Sequence, residues 1–106
     1  MRDGIYFVVF RSGQNDVGNG TVVVKDNKVN GGDFGFSYQG VVQDGRLNLQ
    51  VSRHNQAAQS VIAGLNDYVM ELSVRDIRDG YYLEGSIAGV PGASLEVQAK
   101  FIGNLI

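Results

Sequence analysis

Alternation of apolar and polar side chains, interrupted at short intervals by glycine, constrains the fold of this chain more than any other feature. Leu47, Leu49 and Val51 alternate with polar residues, and the same pattern recurs at 67–74 and 95–101. Side chains that repeat every second residue share one face only when the backbone is extended. Fifteen glycines and one proline separate such runs. The sequence therefore predicts an all-β fold.

Turn-forming residues divide the chain into about eight strands. The predicted strands are 4–11, 19–25, 28–30, 33–42, 46–53, 67–75, 80–88 and 94–102. Glycine permits the sharp bends of a barrel and lies within or at the end of these strands at Gly35, Gly40, Gly85 and Gly89. The segment from Asn55 to Gly64 contains helix-favouring residues and ends in glycine. The prediction is one domain over residues 1–106, an eight-stranded antiparallel β-barrel with one short helix.

Composition argues against several classes of function. A net charge of -2 does not favour direct binding to nucleic acid, which depends on clustered cations. The chain has no cysteine and one histidine, His54, so we expect no catalytic centre, no metal site and no cofactor. The apolar run at 5–10 is too short to span a membrane or to form a signal-peptide core. We therefore expect a cytoplasmic, non-enzymatic protein.

Seven residues could line the interior of such a barrel. Three aromatic residues alternate along one predicted strand, and apolar residues of neighbouring strands join them on the same face. An eight-stranded barrel is either just filled by its own side chains or holds one small ligand, and the sequence leaves both possibilities open. The candidate ligand-binding residues are Phe34, Phe36, Tyr38, Leu49, Val51, Met70 and Leu83.

The first strand is apolar on both of its faces. The run Ile5 to Phe10 contains no polar residue other than a tyrosine. An apolar outer face is expected to pack against another surface, which shields it from water. We predict a homodimer formed through Tyr6, Val8 and Phe10. The alternative is that the short helix or the C-terminal residues cover this face within one chain.

Several short motifs resemble the GrlR-type negative regulators of type III secretion. In chain order they are Asp3-Gly4-Ile5-Tyr6, Gly18-x-Gly20, Gly31-Gly32-Asp33, Tyr38-Gln39-Gly40-Val41, Arg53-His54-Asn55 and Ala99-Lys100-Phe101-Ile102. The resemblance implies a lipocalin-like, dimeric β-barrel that represses genes indirectly, by sequestering a helix-turn-helix activator through protein–protein contact. It therefore predicts a non-enzymatic regulatory binding protein. A carrier or sensor of a small, lipid-like ligand is the alternative function.

One turn departs from the pattern of that family. The resemblance would place a run of acidic residues after the Tyr-Gln-Gly strand, where it engages the activator. Here the turn reads Gln43-Asp44-Gly45-Arg46, so one carboxylate remains and a cation lies beside it. Asp44 and Arg46 are the candidate partner-binding residues. Their opposite charges would weaken the electrostatic attraction to a basic partner.

The homodimer prediction can be checked by the mass of the particle in solution. Two copies joined through the first strand should give, by light scattering at micromolar concentration, a mass near twice 11.5 kDa. A mass of one chain under the same conditions would contradict the homodimer.

Overall fold

The computed structural model describes residues 1–59 and 65–106. Its strands close into an antiparallel barrel in which each strand pairs with the next along the chain, and the last pairs with the first. The eight strands are β1 (Gly4–Ser12), β2 (Asn15–Lys25), β3 (Lys28–Gly32), β4 (Phe36–Gln43), β5 (Arg46–Arg53), β6 (Asp67–Ile77), β7 (Gly80–Ile87) and β8 (Val90–Gly103). The predicted all-β, eight-stranded antiparallel barrel is thus confirmed.

Several strand boundaries and the helix differ from the sequence-based prediction, and the largest shift besides those of β2 and β4 is that β8 begins at Val90 rather than at residue 94. Strand β2 begins at Asn15 rather than at residue 19, and β4 begins at Phe36 rather than at residue 33. The predicted helix is absent from the part of its segment that is described, 55–59, which forms a turn and a bend. Its remaining residues, 60–64, lie outside the described residues. Residues 55–59 therefore do not form a helix, although their side chains favour one.

The centre of the barrel is filled by inward-facing apolar side chains. Leu72 and Val24 are fully buried there, and Leu49 and Leu83 are nearly so. The space left beside Leu49, Leu72 and Leu83 is a void of about 20 Å³ with no polar surface. This is about the volume of one water molecule, and an apolar void of that size stays dry. The centre of the barrel is thus a packed core.

The N-terminal residues plug one end of the barrel. The Tyr6 hydroxyl donates a hydrogen bond to the Arg2 carbonyl at 2.6 Å, and the Arg2 amide donates to the Tyr81 hydroxyl at 2.9 Å. The Arg2 guanidinium lies 3.7 Å from the centre of the Phe101 ring. The turns at 26–27, 44–45 and 78–79 connect the strands at this same end. We refer to it as the plugged end of the barrel.

The residues predicted to form the dimer face the core instead. Tyr6, Val8 and Phe10 are 0, 4 and 3 % exposed inside the barrel, so they cannot contact a second copy. The alternation of β1 directs its other side chains outward, and of these Phe7 is 39 % exposed. On the same surface lies Val23, whose neighbour in the register is Ile5. Self-association therefore remains a prediction, and Phe7 rather than Tyr6 would carry it.

Gly85 provides a test of the close strand spacing. A Cβ atom at Gly85 would lie 1.8 Å from the Glu71 carbonyl oxygen, on the backbone of the adjacent strand β6. We expect Gly85→Ala to lower the free energy of unfolding by about 2 kcal/mol or more, because backbone must move. The matched control is Gly18→Ala, since a Cβ there would meet no atom within 4 Å. Urea unfolding followed by circular dichroism measures both, and equal midpoints would contradict this expectation.

Candidate functional site

The end of the barrel opposite the plug opens into a cavity of about 410 Å³. The β1–β2 turn, the β3–β4 connection at 33–35 and the described part of the β5–β6 connection surround this mouth. Strands β1 and β2 shift their register after Phe10, so the rim is irregular there. We refer to this space, which reaches from the rim down to Phe10 and Met70, as the mouth cavity.

Two inward positions of β2 beside the mouth cavity have no side chain. Gly18 pairs with Phe10 and Gly20 pairs with Val8, so both glycines face the interior. At Gly20 the space is occupied by neighbouring atoms, since a Cβ would lie 2.7 Å from the Gly32 carbonyl oxygen. At Gly18 a Cβ would meet nothing within 4 Å. The space beside Gly18 is therefore available to another molecule.

Aromatic rings form much of the wall of the mouth cavity. The rings of Phe10 and Tyr38 lie 4.9 Å apart, centre to centre, at an angle of 56°. Phe36, Tyr68 and Met70 are buried beside them and line the same space. Aromatic faces offer large contact surfaces to a flat or apolar ligand.

Asp33 organises the rim through three accepted hydrogen bonds. Its Oδ1 accepts from the backbone amides of Gly35 at 2.8 Å and Phe36 at 2.7 Å. Its Oδ2 accepts from the hydroxyl of Tyr38. Burial raises the pKa of Tyr38 above its ordinary value of 10.0, and the hydrogen bond to Asp33 and the charge of that carboxylate raise it further. The side chain of Asp33 thus joins the connecting loop to the aromatic wall.

A second set of hydrogen bonds holds the connection 33–35 against the start of the β5–β6 connection. The His54 amide donates to the Gly35 carbonyl at 2.9 Å, and the His54 Nε2 lies 2.9 Å from the Asp33 carbonyl oxygen. The Asn55 amide also donates to Gly35, at 3.3 Å. His54 is therefore in a position to fix the rim. Phe34, between these bonded residues, is 74 % exposed at the mouth.

The structure divides the seven predicted cavity residues into two groups. Phe34, Phe36, Tyr38, Val51 and Met70 line the mouth cavity, whereas Leu49 and Leu83 lie around the small central void. Phe34 does not extend the inward row of β4 as predicted, because it precedes the strand and lies on the rim.

The two predicted partner-binding residues lie at the plugged end. Asp44 and Arg46 are exposed in and beside the β4–β5 turn, where Asp44 and Gly45 both have positive φ angles, of 54° and 73°. They are far from the mouth along the barrel, because β4 and β5 each run between the two ends. A second cavity, of about 320 Å³, lies at this end and has charges of both signs around it, among them Arg2 and Asp79.

Sequence reasoning missed the contributions of Gly18 and Asp33. The predicted strand begins at residue 19 and leaves Gly18 outside it, whereas β2 begins at Asn15 and includes Gly18. The signal that could have revealed its role is the inward row of Val24 and Val22, whose period of two continues to Gly20 and Gly18. Asp33 is predicted as the first residue of a strand, 33–42, whereas it precedes β4 and its side chain binds the rim loop.

Comparison with family models and with curated proteins identifies no relative of this chain. No family model matches it, and no curated protein matches it significantly. Among residues 1–59 and 65–106, no three histidine or acidic side chains are grouped to hold a metal ion. The same residues contain no helix long and apolar enough to cross a membrane.

The raised pKa of Tyr38 predicts a loss of stability in alkali. Above pH 10.0 an unfolded chain releases the Tyr38 proton that the folded chain retains, so the free energy of unfolding falls as pH rises toward the folded pKa. Tyr38→Phe removes this contribution. We expect its urea midpoint to fall less steeply than that of the wild type from about pH 9 to about pH 11. Parallel pH dependences of the two midpoints would contradict the assignment.

Proposed function

We propose that this chain is a non-enzymatic binding protein that holds a small, largely apolar molecule in its mouth cavity. The observation that carries the proposal is an aromatic-walled cavity of about 410 Å³ beside Gly18, above a packed centre. Pockets for small molecules commonly have volumes of about 300 to 1,000 Å³ and apolar linings with few polar groups. The mouth cavity fits this description.

The packed centre limits the shape of the ligand. Leu49, Leu72 and Leu83 surround a void of about 20 Å³, so no long acyl chain can pass along the barrel axis. A ligand must therefore be compact and lie in the upper part of the barrel. This supports a ring-containing molecule or a short branched one rather than an extended fatty acid.

Phe34 is suited to contact such a ligand at the rim. Its ring is largely exposed, while hydrogen bonds fix the residues on both sides of it. An exposed aromatic side chain on a well-ordered loop can bury its surface when a ligand arrives, at a small cost in conformational entropy. Loops held by a rigid scaffold are common positions for binding residues.

The hydrogen bonds of the polar side chains at the mouth support the non-enzymatic part of the proposal. The Asp33 carboxylate, the charged group of the cavity, already accepts three hydrogen bonds and positions a loop. His54 is engaged with the backbone of the same loop. Both side chains thus have a structural use in holding the rim, which supports a binding role for them rather than acid–base catalysis.

The regulatory function implied by the resemblance to GrlR-type proteins remains a prediction. The exposed β4–β5 turn is accessible to a protein partner, and Asp44 and Arg46 give it a carboxylate and a guanidinium. This pair of opposite charges does not favour a basic activator over another protein. The location in the cytoplasm likewise remains a prediction.

A substitution that fills the mouth cavity tests the binding function. The neutral dye N-phenyl-1-naphthylamine should bind to the wild-type protein and gain fluorescence. Gly18→Leu places four carbon atoms in space that is open beside Gly18, so we expect it to weaken dye binding by about tenfold or more. The matched control is Gln50→Leu, which adds a leucine to an exposed position of β5.

The control and the wild type should bind the dye equally. Circular dichroism and urea unfolding establish that both variants fold. Equal binding by Gly18→Leu and the wild type would place the dye elsewhere and contradict the proposed site. Absence of binding to the wild type would contradict the function.

A further inference from the structure

Asp33 gives the mouth cavity a single sign of charge. Among the described residues that line this cavity, it is the only one with an ionised side chain at neutral pH. The other polar groups there are neutral amides and hydroxyls, such as those of Asn19, Thr21 and Gln59. A carboxylate in a partly apolar space, with no lining cation opposite it, attracts positive charge more strongly than it would in water.

Two arginines at the mouth end of the barrel have partners of their own. Arg11 forms an ion pair with Asp16, with 2.9 Å between its Nε and the carboxylate oxygen. Arg53 donates from its guanidinium to the Ala58 carbonyl oxygen at 3.4 Å. Neither arginine lines the mouth cavity.

The hydrogen bonds of Asp33 leave its charge in place. Two backbone amides and the Tyr38 hydroxyl donate to the carboxylate, but all three donors are neutral. A carboxylate has about four acceptor positions, so one further donor can be accommodated. The hydroxyl that points to Asp33 also makes the Tyr38 ring richer in electrons, because its proton is drawn toward a negative charge.

The aromatic wall favours the same kind of ligand. The electron-rich faces of Tyr38 and Phe10 attract a cation, and such contacts are stronger where water is excluded. An ammonium group near Asp33 would combine this attraction with a charge-assisted hydrogen bond to the carboxylate. An anionic head group would meet the carboxylate and would find neutral donors alone.

From this geometry we infer that the mouth cavity binds a compact hydrophobic amine in its protonated form, with the ammonium group directed to Asp33 and the apolar body beside Gly18. This inference rests on the proposed function, and it adds the chemical class of the ligand. This ligand class differs from fatty acids, whose carboxylate would be bound by a positively charged side chain.

Three probes with one apolar body test the inference. They are 1-naphthylmethylamine, which is a cation at neutral pH, 1-naphthalenemethanol, which is neutral, and 1-naphthaleneacetate, the anion of 1-naphthaleneacetic acid. Isothermal titration calorimetry with the wild-type chain should give an affinity for the amine about tenfold higher than for the alcohol. The anion should bind more weakly than the alcohol.

The variant Asp33→Asn removes the charge and keeps an oxygen that can accept from the amides of Gly35 and Phe36. We expect its preference for the amine over the alcohol to disappear, so that the ratio of the two affinities falls about tenfold, to near one. The matched control is Asp44→Asn at the plugged end, which changes the net charge equally and should keep the preference for the amine. Asparagine tolerates the positive φ of 54° at Asp44.

The possible outcomes separate this inference from the function on which it rests. If the wild type binds the alcohol as tightly as the amine, or the anion most tightly, the inference is wrong and the binding function stands. If none of the probes binds, the binding function itself is contradicted. Should Asp33→Asn fail to fold, added salt provides the second measurement. It should reduce the affinity for the amine and leave that for the alcohol unchanged.

Discussion

Closure of eight strands into a ring is the constraint on which the rest of this structure depends. Pairing of β8 with β1 gives every strand two neighbouring strands. It also fixes which half of the side chains faces inward, because the period of a strand is two. The interior of an eight-stranded barrel is narrow enough to be filled by those side chains. Space for a ligand can therefore remain only where inward side chains are missing, and Gly18 is such a position.

Much of the fold follows from the sequence, and the differences have physical causes. Strands β5, β6 and β8 alternate clearly, so their inward faces could be predicted. Strand β1 is apolar on both faces, so its sequence does not indicate which face points inward. This is why Tyr6, Val8 and Phe10 were predicted to lie on the outer face. The inward face of β1 is determined by its register with β2 and β8, and β8 is distant from β1 in the sequence.

The candidate site was harder to predict than the strands that surround it. Val51, Met70, Phe36 and Tyr38 were found because apolar residues at a period of two mark an interior. Phe34 has the same spacing, but the side chain of Asp33 bonds the amides two and three residues later and ends the extended row. Glycines within a strand and glycines in a turn look alike locally, so the cavity itself could not be predicted from Gly18-Asn19-Gly20.

The two ends of the barrel separate the functions that this chain could combine. The mouth contains the cavity, and the loop of Asp33 is bonded directly to His54 and Asn55. The exposed Asp44 turn lies at the plugged end, beyond a packed centre in which strand pairing leaves little freedom to move. A ligand in the mouth can shift the protein between two conformations only if it binds them with different affinities, and so only if the residues that it contacts differ between them. Any ligand-dependent change of a protein partner's affinity is therefore to be sought at the rim around Phe34, where ligand and partner could touch the same residues.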